Sequence, residues 1–258
     1  MRVAIIGATG FVGRALAAQF ERAGHDVSAV GRQNYEALKG DYDLVVNSSN
    51  NSKKYISDRD PVLDLEISVA NQLRVIHDYP AETHVLISSV DVYESLDSRE
   101  STREDQGINP ENASNYGLHK HFAEQLVRHY CPNWLIIRLA GMVGPGLIKN
   151  PVFDILNDQP LRIHPESQYQ FMNTADVARI VRELVERGHR KDVFNLCAEG
   201  LVSPSQIAEL ARKTINLEQL DPNVRPRIVD ISTEKLAKLF DLPSSIETVK
   251  AFIAAELK

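Results

Sequence analysis

The first 140 residues alternate short apolar runs with longer segments whose apolar residues recur at helical spacing. Because the short runs are almost continuously apolar, we expect them to be strands buried on both faces of a parallel sheet. The longer segments are predicted to be crossover helices that cover those faces. The pattern therefore predicts an α/β fold. The predicted strands are 2–6, 26–30, 43–47, 84–88 and 134–138, and the predicted helices are 11–23, 61–78 and 115–130.

Two segments interrupt this alternation. About a dozen residues separate the second and third predicted strands, which is too few for a crossover helix and its turns. Part of a standard unit is therefore predicted to be missing there. Residues 94–115 are polar and show no period, which predicts a loop. A long loop inside a compact domain usually has a function, such as that of a lid.

Beyond residue 140 the character of the chain changes, because glycines and prolines mark a departure from the sheet. A helix is predicted over 174–188 and a strand over 193–196. Two or three further helices are predicted in the tail that begins at residue 203.

Composition and charge argue against several classes of protein. The chain has 258 residues, 43% hydrophobic and 25% charged, which is ordinary for a soluble globular protein. A net charge of -6 argues against a nucleic-acid partner. No apolar run approaches the roughly 20 residues of a membrane span, so no membrane partner is expected. The two cysteines, Cys131 and Cys197, indicate a reducing, cytoplasmic compartment, and no metal is expected because ligand spacing is absent.

A glycine-rich turn follows the first predicted strand, with glycines at positions 7, 10 and 13. Such glycines allow a tight turn, a close approach of backbone to a pyrophosphate, and close packing of the next helix on the strand. The start of that helix then offers free N–H groups and a positive dipole end to phosphates. The pattern predicts a dinucleotide cradle; the alternative is a turn that binds nothing.

The second strand suggests which dinucleotide is bound. An acidic residue at its end would favour NAD, whereas this chain has Val30-Gly31-Arg32, and Arg14 follows the last cradle glycine. These cations favour NADP over NAD, although two solvated surface arginines are the alternative. The predicted cofactor-binding residues are Gly7, Thr9, Gly10, Phe11, Val12, Gly13, Arg32, Asn47 and Lys120.

A proton-transfer pair is predicted on the helix over 115–130. Tyr116 and Lys120 lie four residues apart and share one helix face, so the ammonium and an oxidised nicotinamide would lower the pKa of the phenol. Ser89 follows the fourth strand, at the sheet edge where ligands of α/β proteins bind. Tyr35 and Lys39 have the same spacing but lie on the adenosine side. The alternative is that Tyr116 and Lys120 form an incidental surface pair.

With these motifs the chain resembles the extended short-chain dehydrogenase/reductase family, in its NAD-dependent epimerase/dehydratase group. The resemblance implies a Rossmann-type doubly wound parallel sheet with a small C-terminal substrate-binding domain. Residues 1–140 with 174–198 would bind the dinucleotide, and residues 141–173 with 199–258 would bind the substrate. The resemblance rests on Gly7 to Gly13, Ser89 with Val92-Tyr93, Tyr116, Lys120, Arg138, Gly144-Pro145-Gly146, Phe171 to Ala178, and Phe194-Asn195-Leu196.

The resemblance also implies roles. Tyr116 would be the catalytic acid/base, Lys120 the group that tunes its pKa, and Ser89 the hydroxyl that polarises the substrate. Many members act on nucleotide sugars and form homodimers through two helices, which here are 61–78 and 115–130. Epimerase and reductase remain equally open. A reductase of a non-sugar carbonyl and a non-catalytic NAD(P)-binding sensor are the alternatives from other classes.

The chain also departs from the family's pattern. Ser68, Gly141 and Tyr169 stand where members commonly have an active-site Asn, a substrate-binding Asn and a diphosphate-binding Arg. Arg225 and Arg227 either replace that arginine as substrate contacts or are solvated.

Asp91 has two interpretations. The family's 4,6-dehydratases carry two carboxylates after the hydroxyl residue, and here Val90 replaces the first of them, which argues against that reaction. Asp91 is therefore either a substrate contact or second base, or a loop cap.

Overall fold

A six-stranded sheet organises the computed structural model, which describes residues 1–256. The strands of the chain are β1 (Arg2–Ile6), β2 (Asp26–Val30), β3 (Tyr42–Asn47), β4 (Ala81–Ser89), β5 (Asn133–Leu139), β6 (Gly141–Val143), β7 (Phe171–Asn173) and β8 (Asp192–Leu196). The strand order in the six-stranded sheet is β2-β1-β3-β4-β5-β8. The pairs β1–β2, β1–β3, β3–β4 and β4–β5 are all parallel. This confirms the predicted Rossmann-type sheet.

The helices cover the sheet as the apolar periods predict. Leu16 and Phe20 of the first helix are fully buried, and Ala123 and Val127 of the fifth pack against Leu86 of β4. The helices are α1 (Gly13–Arg22), α2 (Lys54–Arg59), α3 (Pro61–Leu65), α4 (Asn71–Asp78), α5 (Asn115–Tyr130), α6 (Pro151–Leu156), α7 (Thr174–Glu186), α8 (Pro204–Ala211), α9 (Glu234–Ala237) and α10 (Ser245–Glu256).

The chain divides into two compact units. The first comprises residues 1–94, 105–139 and 175–194, and the second comprises 95–104, 140–174 and 195–258, of which the structure describes those up to 256. Within the second unit, β6 and β7 form a two-stranded parallel sheet. Its core includes Val143, Phe171 and Phe252, which lie on β6, β7 and α10.

The helix predicted over 61–78 is confirmed in its bounds. It runs without a gap from α3 through a π-helical turn (Glu66–Ala70) to α4, and only that π-helical turn and the preceding α2 were not predicted. The break before α3 has a local cause, because Asp60 caps the helix by accepting a hydrogen bond from the Leu63 amide, and Pro61 occupies the first turn. α2 has no apolar period, so no pattern in the chain indicates it.

The short connection between β2 and β3 contains no crossover helix, as predicted. Only a 3-10 turn (Glu36–Leu38) lies there. Tyrosine side chains stabilise this connection where a helix is missing. The Tyr42 hydroxyl donates a hydrogen bond to the Leu38 carbonyl at 2.7 Å, and the Tyr79 hydroxyl donates one to the Tyr35 carbonyl. This connection is therefore packed and hydrogen-bonded rather than loose.

The predicted loop over 94–115 contains a single 3-10 turn (Pro110–Asn112). Its first half belongs to the second unit, where the buried Thr102 hydroxyl accepts from the Ser232 amide at 2.9 Å. Arg99 pairs there with Asp230 and Glu199 at 3.0 and 3.1 Å. Residues 95–104 are therefore anchored within that unit.

A buried ion pair fixes α5 against the sheet, and its loss should be costly. Glu124 accepts from Arg138 Nε and Nη2 at 3.0 and 2.7 Å, with the two side chains 0% and 3% exposed. Glu124→Gln leaves Arg138 as a buried charge with no counter-charge, so we expect the free energy of unfolding to fall by about 3 kcal/mol. Urea denaturation measures this free energy of unfolding. Glu36→Gln, at an exposed pair with Lys39, is the control and should cost under about 1 kcal/mol. Equal losses would contradict the prediction.

Candidate active site

The glycine-rich turn has the geometry of a phosphate cradle. Gly7 has φ +82°, and a Cβ atom on it would lie 2.9 Å from the Cα atom of Ser49. A Cβ atom on Gly13 would lie 2.1 Å from the carbonyl oxygen of Gly7. α1 therefore begins in direct contact with the turn, an approach that only glycines allow.

The start of α1 is suited to an anion. Val12 precedes the helix and provides no side-chain cap, and the first turn contains no acidic residue. Its free N–H groups and positive dipole end are therefore not neutralised by the chain itself. These residues fit a pyrophosphate, so the cradle can hold a dinucleotide.

The arginines predicted to select the cofactor lie at this end of the sheet. Arg32 is exposed just beyond β2. Arg14 is also exposed, and its guanidinium donates to the carbonyls of Gly10 and Thr9 at 3.3 and 3.4 Å. Both cations are thus available beside the cradle.

Asn47 has a full set of partners within the protein. Its amide donates to Gln72 Oε1 at 2.7 Å, and its oxygen accepts from the amide and hydroxyl of Ser49 at 2.9 and 2.7 Å. These contacts shape the loop after β3. Its predicted contact with the cofactor stays a prediction.

Ser89, Tyr116 and Lys120 come together at the carboxyl end of β4. Ser89 is the last residue of that strand, and Tyr116 and Lys120 lie on the first turns of α5, both buried. Lys120 Nζ is 5.4 Å from the centroid of the Tyr116 ring. A Cβ atom on Gly117 would lie 2.1 Å from the carbonyl oxygen of Asp91, so α5 touches the end of β4.

The surroundings of Tyr116 raise the pKa of its phenol and so favour the neutral form. Burial raises its pKa most, the charges of Asp91 and Asp64 raise it further, and a hydrogen bond with Ser89 acts in the opposite direction. The Tyr116 hydroxyl also donates to the carbonyl oxygen of Asn51 at 3.3 Å. Lys120 and a bound nicotinamide, on which the prediction of a lowered pKa depends, act against these effects. Burial and the two carboxylates arise from distant segments, so no local sequence pattern indicates them.

Asp91 lies directly beside Ser89. The Ser89 hydroxyl donates to Asp91 Oδ2 at 3.0 Å and accepts from the Asp91 amide at 3.2 Å, which caps a 3-10 turn (Val90–Val92). Lys54, half exposed on α2, forms an ion pair with the Asp91 carboxylate. Asp91 is therefore part of the capped turn and is also a charged group at the site. Nothing in the sequence around Lys54 indicated this contact.

Several other predicted residues have structural partners or belong to the second unit. Ser68 is buried and donates to Asp64 at 3.0 Å. Arg225 and Arg227 are exposed in the second unit. Burial raises the pKa of the Cys131 thiol to about 12 and also raises that of Cys197, so neither is an activated thiol.

Two searches of residues 1–256 bear on other functions. No group of three or more His, Cys, Asp or Glu side chains there could hold a metal ion. No helix within that range has the length and apolar character needed to cross a membrane.

The fold and the cradle define a Rossmann-type nucleotide-binding protein. Residues 3–197 match the model of the NAD dependent epimerase/dehydratase family, and the chain belongs to that family. Comparison with curated proteins finds no match.

Solved structures with the same fold include two reductases. A dTDP-4-dehydrorhamnose reductase from Clostridium acetobutylicum is 19% identical, with 100% of each chain covered and a TM-score of 0.81. A dTDP-4-dehydrorhamnose reductase from Bacillus anthracis, in complex with NADP, is 16% identical, with 98% of each chain covered and a TM-score of 0.79.

A third similar structure is MoeE5 in complex with UDP-glucuronic acid and NAD. It is 18% identical, with 99% of this chain and 100% of that chain covered and a TM-score of 0.80. At these identities the likeness establishes the fold alone.

Proposed function

We propose that the protein is an NAD(P)-dependent reductase of a carbonyl group on a nucleotide-linked sugar. The observation that carries this proposal is the group of Ser89, Tyr116 and Lys120 at the carboxyl end of β4. The cradle follows the carboxyl end of β1 in the same parallel sheet. Both sites therefore lie at the edge where α/β proteins bind ligands.

Each residue has a distinct role in the proposed reaction. A bound nicotinamide supplies the hydride. The Ser89 hydroxyl donates a hydrogen bond to the substrate oxygen and polarises the carbonyl, and Tyr116 donates its proton to that oxygen. The Lys120 ammonium then stabilises the phenolate that remains.

The environment of Tyr116 favours reduction over epimerisation as the first chemical step. A reductase needs a protonated phenol, whereas an epimerase begins by removing a proton from a hydroxyl group. Burial and the charges of Asp91 and Asp64 raise the pKa of Tyr116 and so favour the proton donor. Solved structures of the same fold include a dTDP-4-dehydrorhamnose reductase and a UDP-galactose 4-epimerase, so the fold is compatible with both reactions. Epimerase is the second candidate, because the family includes epimerases.

A nucleoside-diphosphate sugar is the proposed substrate class. MoeE5, a structure of the same fold, binds UDP-glucuronic acid. Arg225 and Arg227 of the second unit are exposed cations that suit a diphosphate, and substrate binding is the role proposed for that unit.

A homodimer formed through the helices over 61–78 and 115–130 is also part of the proposal. Large apolar side chains on these helices are exposed, among them Val62 at 67%, Leu65 at 42% and Phe122 at 40%. Exposed apolar residues on neighbouring helices are typical of a surface that a partner covers.

The role of Tyr116 is tested by Tyr116→Phe. Loss of the proton donor should lower kcat by about 10²–10⁴-fold while leaving NADPH affinity unchanged. Initial rates with dTDP- and UDP-linked keto sugars and fluorescence titration with NADPH measure the two quantities. Tyr130→Phe, at the exposed end of the same helix, is the matched control. Near-normal turnover of Tyr116→Phe would remove Tyr116 from the mechanism.

Cofactor retention separates the two candidate reactions. A reductase must exchange its cofactor at each turnover, so the purified protein should carry little nucleotide and should bind NADPH reversibly at micromolar concentration. Mass spectrometry of released nucleotides, followed by titration, measures both properties. Stoichiometric, tightly held NAD(H) or NADP(H) would instead support the epimerase.

Selection of NADP is proposed to depend on Arg32. Arg32→Asp removes a cation and adds a like charge near the 2′-phosphate, so NADPH affinity should fall at least about tenfold more than NADH affinity. Parallel fluorescence titrations measure the ratio. Arg22→Asp, at the far end of α1, should leave the ratio unchanged. Equal losses for both cofactors in Arg32→Asp would show that Arg32 does not select the phosphate.

A further inference from the structure

We propose that Asp64 is a positioning residue for Tyr116: it holds the loop after β3 so that the Asn51 carbonyl keeps the Tyr116 hydroxyl protonated and oriented. This inference rests on the proposed role of Tyr116 as proton donor. It concerns a residue that no sequence motif singled out.

Asp64 is completely buried, and its carboxylate is fully used. Oδ1 accepts from Asn51 Nδ2 at 2.7 Å and from the Ser68 hydroxyl at 3.0 Å. Oδ2 accepts from His119 Nδ1 at 2.8 Å and from the Ser57 hydroxyl. Burial raises the pKa of Asp64, but these four hydrogen bonds together lower it below its ordinary value. Asp64 is therefore a buried anion that these hydrogen bonds stabilise. Charged side chains are rarely buried without such hydrogen-bonding partners.

The four donors come from four different segments. Asn51 lies in the loop after β3, Ser57 on α2, Ser68 on the π-helical turn and His119 on α5. His119 directly precedes Lys120. One carboxylate thus connects the loop to the helix that carries the proposed proton donor.

Hydrogen bonds of the Asn51 side chain hold the backbone of the same residue in place. Besides its bond to Asp64, the amide donates to the Lys53 carbonyl at 3.1 Å, and the Asn51 oxygen accepts from the Lys53 amide at 2.8 Å. The backbone carbonyl of the same residue accepts from the Tyr116 hydroxyl at 3.3 Å. Asp64 therefore acts on Tyr116 through Asn51.

The contact has a defined consequence for the proton. A carbonyl oxygen can only accept, so its bond to Tyr116 exists only while the phenol is protonated, and it stabilises that form. When a substrate carbonyl replaces Asn51 as acceptor, the proton passes from Tyr116 Oη to the substrate oxygen. The other groups that face Tyr116 are Ser89, Asp91 and Lys120.

Titration of position 116 tests the proposal without substrate or cofactor. Difluorotyrosine, whose pKa lies in an accessible range, is incorporated in place of Tyr116 in the full chain and followed by fluorine NMR. In Asp64→Asn its pKa should fall by about one pH unit, because a nearby negative charge and a fixed acceptor are both lost. In Asn51→Ala, which retains the charge of Asp64, a smaller fall in the same direction is expected.

A matched control separates this effect from general loss of charge. Asp60→Asn removes an exposed carboxylate four residues from Asp64 in the chain, and Asn caps a helix as well as Asp does. The pKa of difluorotyrosine at position 116 should therefore be unchanged in this variant. If the pKa at position 116 falls in Asp64→Asn but not in Asn51→Ala, only the charge of Asp64 affects that pKa, and the positioning role is overturned. No fall in either variant, or a rise, would also overturn it.

Folding and function are controlled separately. If Asp64→Asn does not fold, as thermal unfolding would show, Asn51→Ala decides the question alone. Because the titration measures only the phenol, its outcome is independent of the turnover measured for Tyr116→Phe. Failure of the proposed reaction would therefore be distinguishable from failure of this inference.

Discussion

Helix α5 lies so close to the end of β4 that a Cβ atom on Gly117 would come within 2.1 Å of the Asp91 carbonyl oxygen. This approach places Tyr116 and Lys120, on either side of Gly117, beside Ser89. Two turns farther along, Glu124 fixes the same helix to the sheet, because it accepts hydrogen bonds from Arg138 of β5 and from Ser88 of β4 at 2.7 Å. The close approach and these hydrogen bonds hold the helix and the strand together at the candidate site.

The site combines this rigid contact with a second, polar one. The Asn51 carbonyl in the loop after β3 accepts a hydrogen bond from Tyr116, and the buried Asp64 bonds to the side chain of the same Asn51. Burial of Tyr116 and the charges of Asp91 and Asp64 raise the pKa of its phenol. The distance between Tyr116 and Lys120 along the chain gives no sign of this effect.

Family membership and the details of the site answer different questions. The match over residues 3–197 accounts for the parallel sheet and the cradle. Within that architecture, Ser68 and His119 both bond to the buried Asp64, which also bonds to Asn51 beside the candidate proton donor.

The sequence by itself determined the elements whose signals are local. Apolar runs located β1 to β5, glycine spacing located the cradle, and α5 occupies the predicted residues 115–130. It did not determine the π-helical turn within 61–78 or the existence of α2, because α2 has no apolar period of its own. Only the tertiary structure brought Asn51, Asp64 and His119 together. The burial of Tyr116 and the charges around it depend on segments far apart in the chain, which come into contact only when the sheet forms. A local sequence pattern cannot predict contacts between distant segments.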